Sequence, residues 1–301
     1  MNANDLSKRP AHDLAHPQRA LTVGLLEEAL LRAFPARYAA EWDRTGLLVG
    51  ERALPVRSVA VALDPTVAAI EEAAAAGANV LLTHHPAFLE PPTEFSPAPS
   101  VALSSGAGVW AAIRDRVALM SFHTALDVSP RGQAVLPQML GLHPLDAVLE
   151  PAAAADPAGS PAIGYGTLCA VPSTEGAPQT VGQLAARCTA VFGRAPRVWG
   201  DPEAPISTVV TAGGSAGHLG HAALARTDRT VDCLVTGEVR YHAALELSGA
   251  GLAIIELGHD ASELPLTAVL AEAAAHAGVP ETAIFMIDQR HNWSYPEAIR
   301  L

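Results

Sequence analysis

Residues 56–85 read VRSVAVALDPTVAAIEEAAAAGANVLLTHH, and this stretch decides the fold class. Its first eight residues end as an unbroken apolar run, which predicts a buried strand. Residues 64–66 predict a helix N-terminus, because a short polar residue followed by proline is typical of that position. A helix rich in alanine and glutamate follows, and then a second apolar strand that ends at His84 and His85. This order predicts a parallel α/β unit with helices on both faces of its sheet.

The same alternation continues along the chain. A proline- and serine-rich loop is predicted at 90–105, and an alanine- and proline-rich stretch at 144–163 indicates a domain linker or a surface excursion. The pattern predicts two α/β domains with mixed sheets flanked by helices, the C-terminal segment returning to the first domain. The predicted bounds are a disordered tail at 1–19, a metal-binding domain at 20–145 plus 251–301, and a second domain at 146–250.

Composition excludes several classes of protein. The chain has 301 residues and a net charge of −12, which argues against a nucleic-acid-binding surface. It has no apolar stretch long enough to span a membrane, and the polar segment 1–19 lacks the apolar core of a secretory signal. Its three cysteines form no CxxC pair and no disulfide framework, which indicates a reducing, cytoplasmic compartment.

Histidines and carboxylates recur where apolar strands end. The run 78–82 leads into a histidine pair, the run 117–122 leads into one histidine with an aspartate four residues on, and the run 252–257 leads through a glycine into one histidine with a glutamate four residues on. The six candidate metal ligands are His84, His85, His123, Asp127, His259 and Glu263.

Functional groups of open α/β sheets gather at the carboxyl ends of their strands. If the three strands are neighbours in one sheet, the six side chains converge. Imidazole and carboxylate ligands suit Zn, Mn, Fe, Co or Ni, and six side chains with two carboxylates can hold two divalent ions. The sequence therefore predicts a dinuclear metal site of unknown metal.

Each cluster also has an ordinary structural interpretation. The His84-His85 pair can be incidental, and His259 with Glu263 at i+4 can form an exposed pair on a helix. Asp127 can be a turn or cap residue before Ser129-Pro130. The threefold recurrence at strand ends favours the metal site over these separate interpretations.

Two further residues are candidates for proton transfer. Glu238 and His242 follow a strand predicted at 231–235, and we assign them as candidate catalytic residues that would carry protons beside the metals. His218 and His221 fall on a helix after a glycine-rich turn, where a surface position is the default expectation.

Recognition of phosphate is the least defined part of the sequence. The turn at 213–217, GGSAG, has backbone N–H groups that suit an anion, but a tight turn explains it equally well. Arg44, Arg131 and Arg240 are candidate phosphate ligands, and each can instead be a surface ion-pair residue.

Six segments together carry a resemblance to a known family. They are EWDRTGLLVG at 41–50, THHP at 83–86, HTALD at 123–127, GGSAG at 213–217, TGEVRYH at 236–242 and GHDASE at 258–263. The chain resembles the Nif-three-like dinuclear metal centre hexameric proteins, also called GTP cyclohydrolase I type 2 homologues, over about residues 20–290. The resemblance implies a two-metal centre facing the internal cavity of a toroidal homohexamer. The family's ligand positions match the six residues named above.

Some positions depart from the family pattern. The family often has asparagine where Ala125 stands and another residue where Asp260 stands. The loop after His85-Pro86 is usually more basic, whereas Glu90 and Glu94 here would repel a phosphate-rich substrate. These changes lie beside the ligands and leave the predicted metal site intact.

The leading functional hypothesis is a metal-dependent hydrolase of a small molecule, with a nucleotide or a pterin precursor among the candidates. The alternatives are a metal-binding, storage or chaperone protein without turnover, and a ring-shaped interaction scaffold stabilised by its metals. The expected partners are further copies of the chain and an unknown small-molecule substrate, with no nucleic acid and no membrane.

Overall fold

The computed structural model describes residues 20–97, 105–152, 162–173, 176–228 and 230–294. The tail predicted at 1–19 lies outside these residues, and so do parts of the segments predicted as loop at 90–105 and as linker at 144–163.

The secondary structure alternates between strands and helices through most of the chain. The strands are β1 (Gly46–Val49), β2 (Val59–Ala62), β3 (Val80–Thr83), β4 (Ala118–Ser121), β5 (His143–Pro151), β6 (Gly164–Ala170), β7 (Gln179–Thr180), β8 (Arg197–Trp199), β9 (Pro205–Ile206), β10 (Thr208–Ser215), β11 (Cys233–Glu238), β12 (Ala253–Glu256) and β13 (Ile284–Met286). The helices are α1 (Val23–Ala33), α2 (Val67–Ala75), α3 (Ser105–Asp115), α4 (Thr124–Asp127), α5 (Pro130–Leu140), α6 (Val181–Phe192), α7 (Leu219–Leu224), α8 (Tyr241–Gly249), α9 (His259–Glu263) and α10 (Leu266–His276).

Two main sheets organise the described residues. The first sheet has the order β1-β4-β3-β2-β13, and the second has the order β5-β6-β10-β11-β12-β8; β7 and β9 form a separate pair. In the first sheet β13, β2, β3 and β4 run parallel and β1 is antiparallel to β4. In the second sheet β10, β11 and β12 run parallel, and the flanking pairs are antiparallel. The predicted mixed α/β fold is confirmed.

The first sheet is buried on both faces, as its apolar strands predict. Val61 packs in one core cluster with Leu30 of α1 and Leu270 of α10. Its neighbour Ala60 points to the other face and packs in a second cluster with Ile70 of α2. Successive residues of a strand point to opposite faces, so only strands that are apolar at every position can be covered by helices on both sides.

Local signals define where helices begin and end. Thr66 accepts a hydrogen bond of 3.1 Å from the Ala69 N–H and so caps α2, two residues after the predicted start at Asp64. Gly141 ends α5 in the left-handed conformation, with φ of 61°.

The second sheet also has a core on each face. Cys233 of β11 packs with Leu184 of α6, whereas its neighbour Leu234 packs with Leu247 of α8. The thiols Cys169, Cys188 and Cys233 are free and buried, and burial raises the pKa of each. A raised pKa disfavours the reactive thiolate, which agrees with a packing role.

Two elements differ from the sequence-based expectation. Part of the segment expected as linker forms β5, which pairs with β6 through Val148 and Thr167. β5 is an edge strand without a fully buried residue, so it can contain proline. Its Leu145, Ala147 and Leu149 alternate along the strand and pack, partly buried, against the core on one face of the second sheet. β12 belongs to the second sheet, and it is α10 and β13 that return to the first. The domain bounds themselves remain a prediction.

Within the ranges that the structure describes, we find no helix with the length and apolar character needed to cross a bilayer.

Candidate metal centre

Two of the three histidine clusters lie at one edge of the first sheet. β3 and β4 are parallel neighbours, with Thr83 opposite Ser121. The N–H of His85 donates to the Leu63 carbonyl at 2.9 Å, which extends the β3 pairing with β2 beyond the strand end. His123 follows β4 directly and precedes α4, so both clusters leave the sheet at the carboxyl ends of its strands.

The third cluster arrives from the second sheet. The premise that all three strands are neighbours in one sheet is wrong, because β12 pairs with β11 and β8. After β12 the chain turns at Gly258, with φ of 98°, and α9 carries His259 and Glu263 on successive turns. The site therefore lies between the two sheets. The sequence could not show this, because an apolar strand that ends in histidine has the same sequence pattern whether it belongs to the same sheet as the other two or to a second sheet that faces them.

The Glu263 carboxylate is the centre of the cluster. Its Oε2 atom lies 3.0 Å from Nε2 of His85 and 3.0 Å from Nε2 of His259. Its Oε1 atom lies 3.7 Å from Nε2 of His84, which is itself 3.6 Å from Oδ1 of Asp127. The two oxygens of one buried carboxylate thus face two different groups of side chains.

All six predicted ligands meet at this place. They form three overlapping groups, in each of which one donor atom per residue lies within 4.8 Å of the others. The groups are His84, His85 and His123; His85, His259 and Glu263; and His84, Asp127 and Glu263.

Three of the four imidazoles contact a supporting carboxylate on the side of the ring that faces away from the cluster. In each case the Nδ1 atom lies at hydrogen-bond distance from a carboxylate oxygen, which leaves Nε2 directed at the cluster. The pairs are His85 with Asp64 at 2.7 Å, His123 with Asp43 at 3.0 Å and His259 with Glu238 at 3.0 Å. A carboxylate that fixes the ring and its tautomer is the usual support of a metal-binding histidine.

Asp43 and Asp64 are the residues that sequence reasoning missed. Asp64 lies in the segment 64–66 that predicts a helix N-terminus, and Asp43 lies in the segment 41–50 that carries part of the family resemblance. Asp64 follows β2, the strand next to β3, and this adjacency is the signal that could have found it. Asp43 also accepts from the backbone N–H of Thr124 at 2.9 Å, so it supports α4 as well as His123.

His84 provides the fit test for a metal. Its side chain is fully buried, and in the described part of the chain neither of its ring nitrogens has a hydrogen-bond partner. Its Nε2 faces the Asp127 and Glu263 carboxylates at 3.6 and 3.7 Å, which is too long for a hydrogen bond. A buried polar atom without a partner is costly, and a cation between Nε2 and these oxygens would satisfy it. Nitrogen and oxygen donors of this kind fit a divalent transition metal or zinc.

The carboxylates of the cluster determine the protonation of its histidines. Burial disfavours the charged form of His85, but the nearby carboxylates of Asp64 and Glu263 outweigh it and raise its pKa to about 10. Contact with Glu263 raises the pKa of His259 to about 9. Burial works against ionised Glu263, yet the surrounding histidines hold its pKa well below the usual range. A metal ion must therefore displace protons from these imidazoles.

The glycine-rich segment at 213–217 serves the packing of Glu263. Gly213 and Gly214 lie in β10, and Gly214 has a φ of 59°. A Cβ atom at Gly214 would lie 2.2 Å from Glu263 Oε1. The N–H of Gly214 donates to the Ser262 hydroxyl at 2.9 Å, so this amide is not free for an anion. Gly214 has the positive φ that the tight-turn interpretation expects, but it lies in an irregular part of β10 and not in a turn after the strand.

A cavity of about 630 Å³ opens beside the cluster, between the two sheets. His85, His123 and His259 line it, together with Trp42 and Tyr165. Burial raises the pKa of the Tyr165 phenol to about 12, so this hydroxyl keeps its proton at neutral pH.

Comparison with known proteins identifies the family. The family profile of Duf34/NIF3 (NGG1p interacting factor 3) matches residues 21–292. The chain belongs to the Duf34/NIF3 family. A relative from Streptomyces coelicolor, named GTP cyclohydrolase 1 type 2 homolog, is 35% identical over 246 residues, which cover 79% of this chain and 80% of the relative. A protein of the same name from Clostridium acetobutylicum is 27% identical over 248 residues, or 80% and 86% of the two chains. The resemblance inferred from the motifs is confirmed.

Solved structures of Duf34/NIF3 relatives share the fold. A hypothetical protein from Staphylococcus aureus superposes with a TM-score of 0.77 at 21% identity, covering 92% of this chain and 100% of the other. A Bacillus cereus protein related to NIF3 gives 0.76 at 19% identity, covering 92% and 99%. At such identities the likeness concerns the fold alone.

The two predicted catalytic residues have different positions in this Duf34/NIF3 protein. Glu238 supports His259, as described above. His242 is exposed, with its ring packed edge-on against Tyr241 at a centroid distance of 5.3 Å, and it is not among the described residues that line the cavity. His218, expected at the surface, is exposed but also lines the cavity, 3.7 Å from Glu150.

Proposed function

We propose that this protein is a dinuclear metal-dependent hydrolase of a small molecule. The observation that carries the proposal is the central Glu263 carboxylate, whose two oxygens face two separate groups of nitrogen and oxygen donors. A carboxylate shared in this way is suited to bridge two divalent ions. Nucleotides and pterin precursors are candidate substrates in view of the names of the relatives.

The donors divide into two ligand sets. The first set is Nε2 of His85 and of His259 with Glu263 Oε2. The second set is Nε2 of His84, Asp127 and Glu263 Oε1, to which we add His123 because it groups with His84 and His85. The adjacent histidines at the end of β3 thus serve one ion each.

The first ligand set uses three protein donors, which suits a catalytic centre with a position left for water or substrate. A pair of divalent ions here supplies Lewis acidity and an activated water. Asp64, Asp43 and Glu238 contribute by holding their imidazoles in the tautomer that offers Nε2. Zn, Mn, Fe, Co and Ni all suit these donors, so the ligand set leaves the metal identity open.

Elemental analysis combined with anomalous diffraction tests the metal centre. We expect two ions per chain about 4 Å apart. Glu263→Gln should lose at least one ion, whereas Glu272→Gln, at an exposed glutamate of α10 paired with Arg131, should keep both. A panel of phosphoesters, amides and cyclic amidines then tests turnover by the Mn- or Zn-loaded protein. No turnover on any of them would refute the hydrolase.

A metal-binding or storage role without turnover is the second candidate. It is favoured by the position of His242 away from the cavity, and by the pairing of Glu150, a cavity carboxylate outside the ligand sets, with His218. This role predicts that bound metal exchanges readily and that no small molecule slows the exchange. Protection of the metal by a substrate would argue for the enzyme.

Assembly and location are part of the same proposal. We expect a homohexamer on the strength of the family resemblance, with exposed apolar residues such as Leu224 of α7 and Leu245 of α8 available for contacts between copies. Light scattering after size-exclusion chromatography measures the copy number. A cytoplasmic location fits the free, buried cysteines.

A further inference from the structure

The cavity beside the metal centre lacks cationic side chains. Among the described residues that line it, there is no arginine and no lysine. None of the candidate phosphate ligands lines it. Arg44 lies at its margin, where the side chain donates to the carbonyl of the lining residue Leu89 at 2.9 Å. Arg131 pairs with Glu272, and Arg240 is an exposed residue at the start of α8.

A polyphosphate chain would find few partners in such a cavity. Each phosphoryl group needs cationic side chains or free backbone N–H groups around its oxygens. The N–H of Gly214 is already bonded to Ser262, and Glu150 adds a negative charge to the lining. Among the described residues the lining offers no permanently charged cation, so the two proposed ions would be the main positive charges, and they can engage only the part of a ligand that reaches them.

The walls favour apolar and aromatic groups instead. Trp42 is 58% exposed, lines the cavity and stands edge-on to His123 with ring centroids 5.6 Å apart. Tyr165 faces the cavity from the second sheet, and Leu89 and Leu219 add aliphatic surface. Apolar walls around a few polar anchors are typical of sites for small organic ligands.

We infer that the substrate is a compact, ring-bearing molecule with at most one negative charge, which binds the metal pair through its own oxygen or nitrogen atoms and packs its ring against Trp42. This inference rests on the proposed metal centre and deepens it, because it names the substrate class. It narrows the candidate substrates named above: it excludes nucleotides, since one phosphate monoester already carries about −1.5 to −2 charge at pH 7, and keeps neutral or singly charged ring compounds.

The test compares three probes on the metal-loaded protein. Benzohydroxamate and acetohydroxamate share one metal-binding group and differ mainly in the ring, and inorganic tripolyphosphate carries the charge without a ring. Calorimetry measures each dissociation constant, and elemental analysis after desalting verifies that the ions stay bound. Trp42→Ala removes the proposed ring contact, and Trp110→Ala is the matched control, at an exposed tryptophan of α3 that does not line the cavity.

We expect benzohydroxamate to bind at least about tenfold more tightly than acetohydroxamate. Burial of a phenyl ring contributes more than about 1.4 kcal/mol, which corresponds to a tenfold change in the dissociation constant. Tripolyphosphate should bind more weakly than benzohydroxamate. Trp42→Ala should lose most of the ring preference, and Trp110→Ala should keep it. Equal binding of the two hydroxamates, or tighter binding of tripolyphosphate, by protein that retains its ions would overturn the inference. Absence of bound ions would instead refute the metal centre itself.

Discussion

Asp64→Asn tests whether the carboxylates behind the imidazoles tune the metal centre. Asp64 Oδ1 lies 2.7 Å from His85 Nδ1, and asparagine keeps an acceptor of nearly the same shape while it removes the charge. Loss of such a supporting group typically weakens metal binding by about 10- to 100-fold, or about 1.4–2.7 kcal/mol. We expect a loss in this range for the ion that His85 binds.

The size of the loss should depend on pH. Asp64 is one of the groups that raise the pKa of His85 to about 10, so at neutral pH it also favours the proton that the metal must displace. Asp64→Asn lowers this pKa and thereby reduces the proton's competition. The variant's deficit in affinity is therefore smallest near neutral pH. It widens as the pH rises towards 10, where His85 of the unchanged protein also loses its proton.

Competition with a chromophoric chelator at pH 7 and pH 9 measures the two affinities. Asp288→Asn is the control, because Asp288 is an exposed carboxylate that pairs with Arg290 away from the cavity. Equal affinity of Asp64→Asn and the unchanged protein at both pH values would refute the reasoning. A deficit that shrinks with rising pH would refute its electrostatic part.

Three further predictions follow from the same geometry. Gly214→Ala should lose metal, since its Cβ would lie 2.2 Å from Glu263 Oε1. Gly141→Ala is the control: Gly141 also has a positive φ, of 61°, but a Cβ there would meet nothing within 4 Å, so this variant carries only the backbone strain of about 1–2 kcal/mol. Equal metal content in the two variants would contradict the packing argument. Metal binding at pH 8 should release about two protons or more, because the pKa values of His85 and His259 in the metal-free cluster are about 10 and 9. Calorimetry in buffers of different ionisation enthalpy counts the released protons. A measurement of no released proton would be inconsistent with these pKa values. Chelation should lower the melting temperature of the unchanged protein more than that of Glu263→Gln, which scanning calorimetry measures. An equal decrease in the two proteins would contradict this prediction.

The sequence predicted the first sheet well because its central strands β2, β3 and β4 are apolar along almost their whole length and buried, and α1 and α2 begin at threonine caps. It predicted β5 and the membership of β12 poorly for physical reasons. β5 is an edge strand in which the alternation of Leu145, Ala147 and Leu149 is short and adjoins an alanine- and proline-rich stretch that indicates a linker. β12 carries the same apolar run in either sheet, and pairing between strands far apart in sequence leaves no local signal.

The candidate site shows the same division. Histidines at the ends of apolar strands can be recognised in the sequence as candidate ligands, because a polar imidazole next to a buried strand is hard to explain by packing alone. The supporting carboxylates are not, because each comes from a different segment and has an ordinary local interpretation. Asp64 precedes a helix, and Asp43 lies in a loop. Their pairing with His85 and His123 depends on sheet order, which the sequence does not state.

The position of the ligands between the two sheets gives metal binding a structural consequence. His85 follows a strand of the first sheet, whereas His259 and Glu263 follow a strand of the second, so the first ligand set joins the two. The free energy of binding an ion at this set therefore adds to the contact between the sheets. Glu263 must be ionised while it is almost fully buried, which the surrounding cations can offset and an apolar interface could not. An interface built around such a group is stable only when positive partners are in place, and either protonated imidazoles or a bound metal ion would supply that charge.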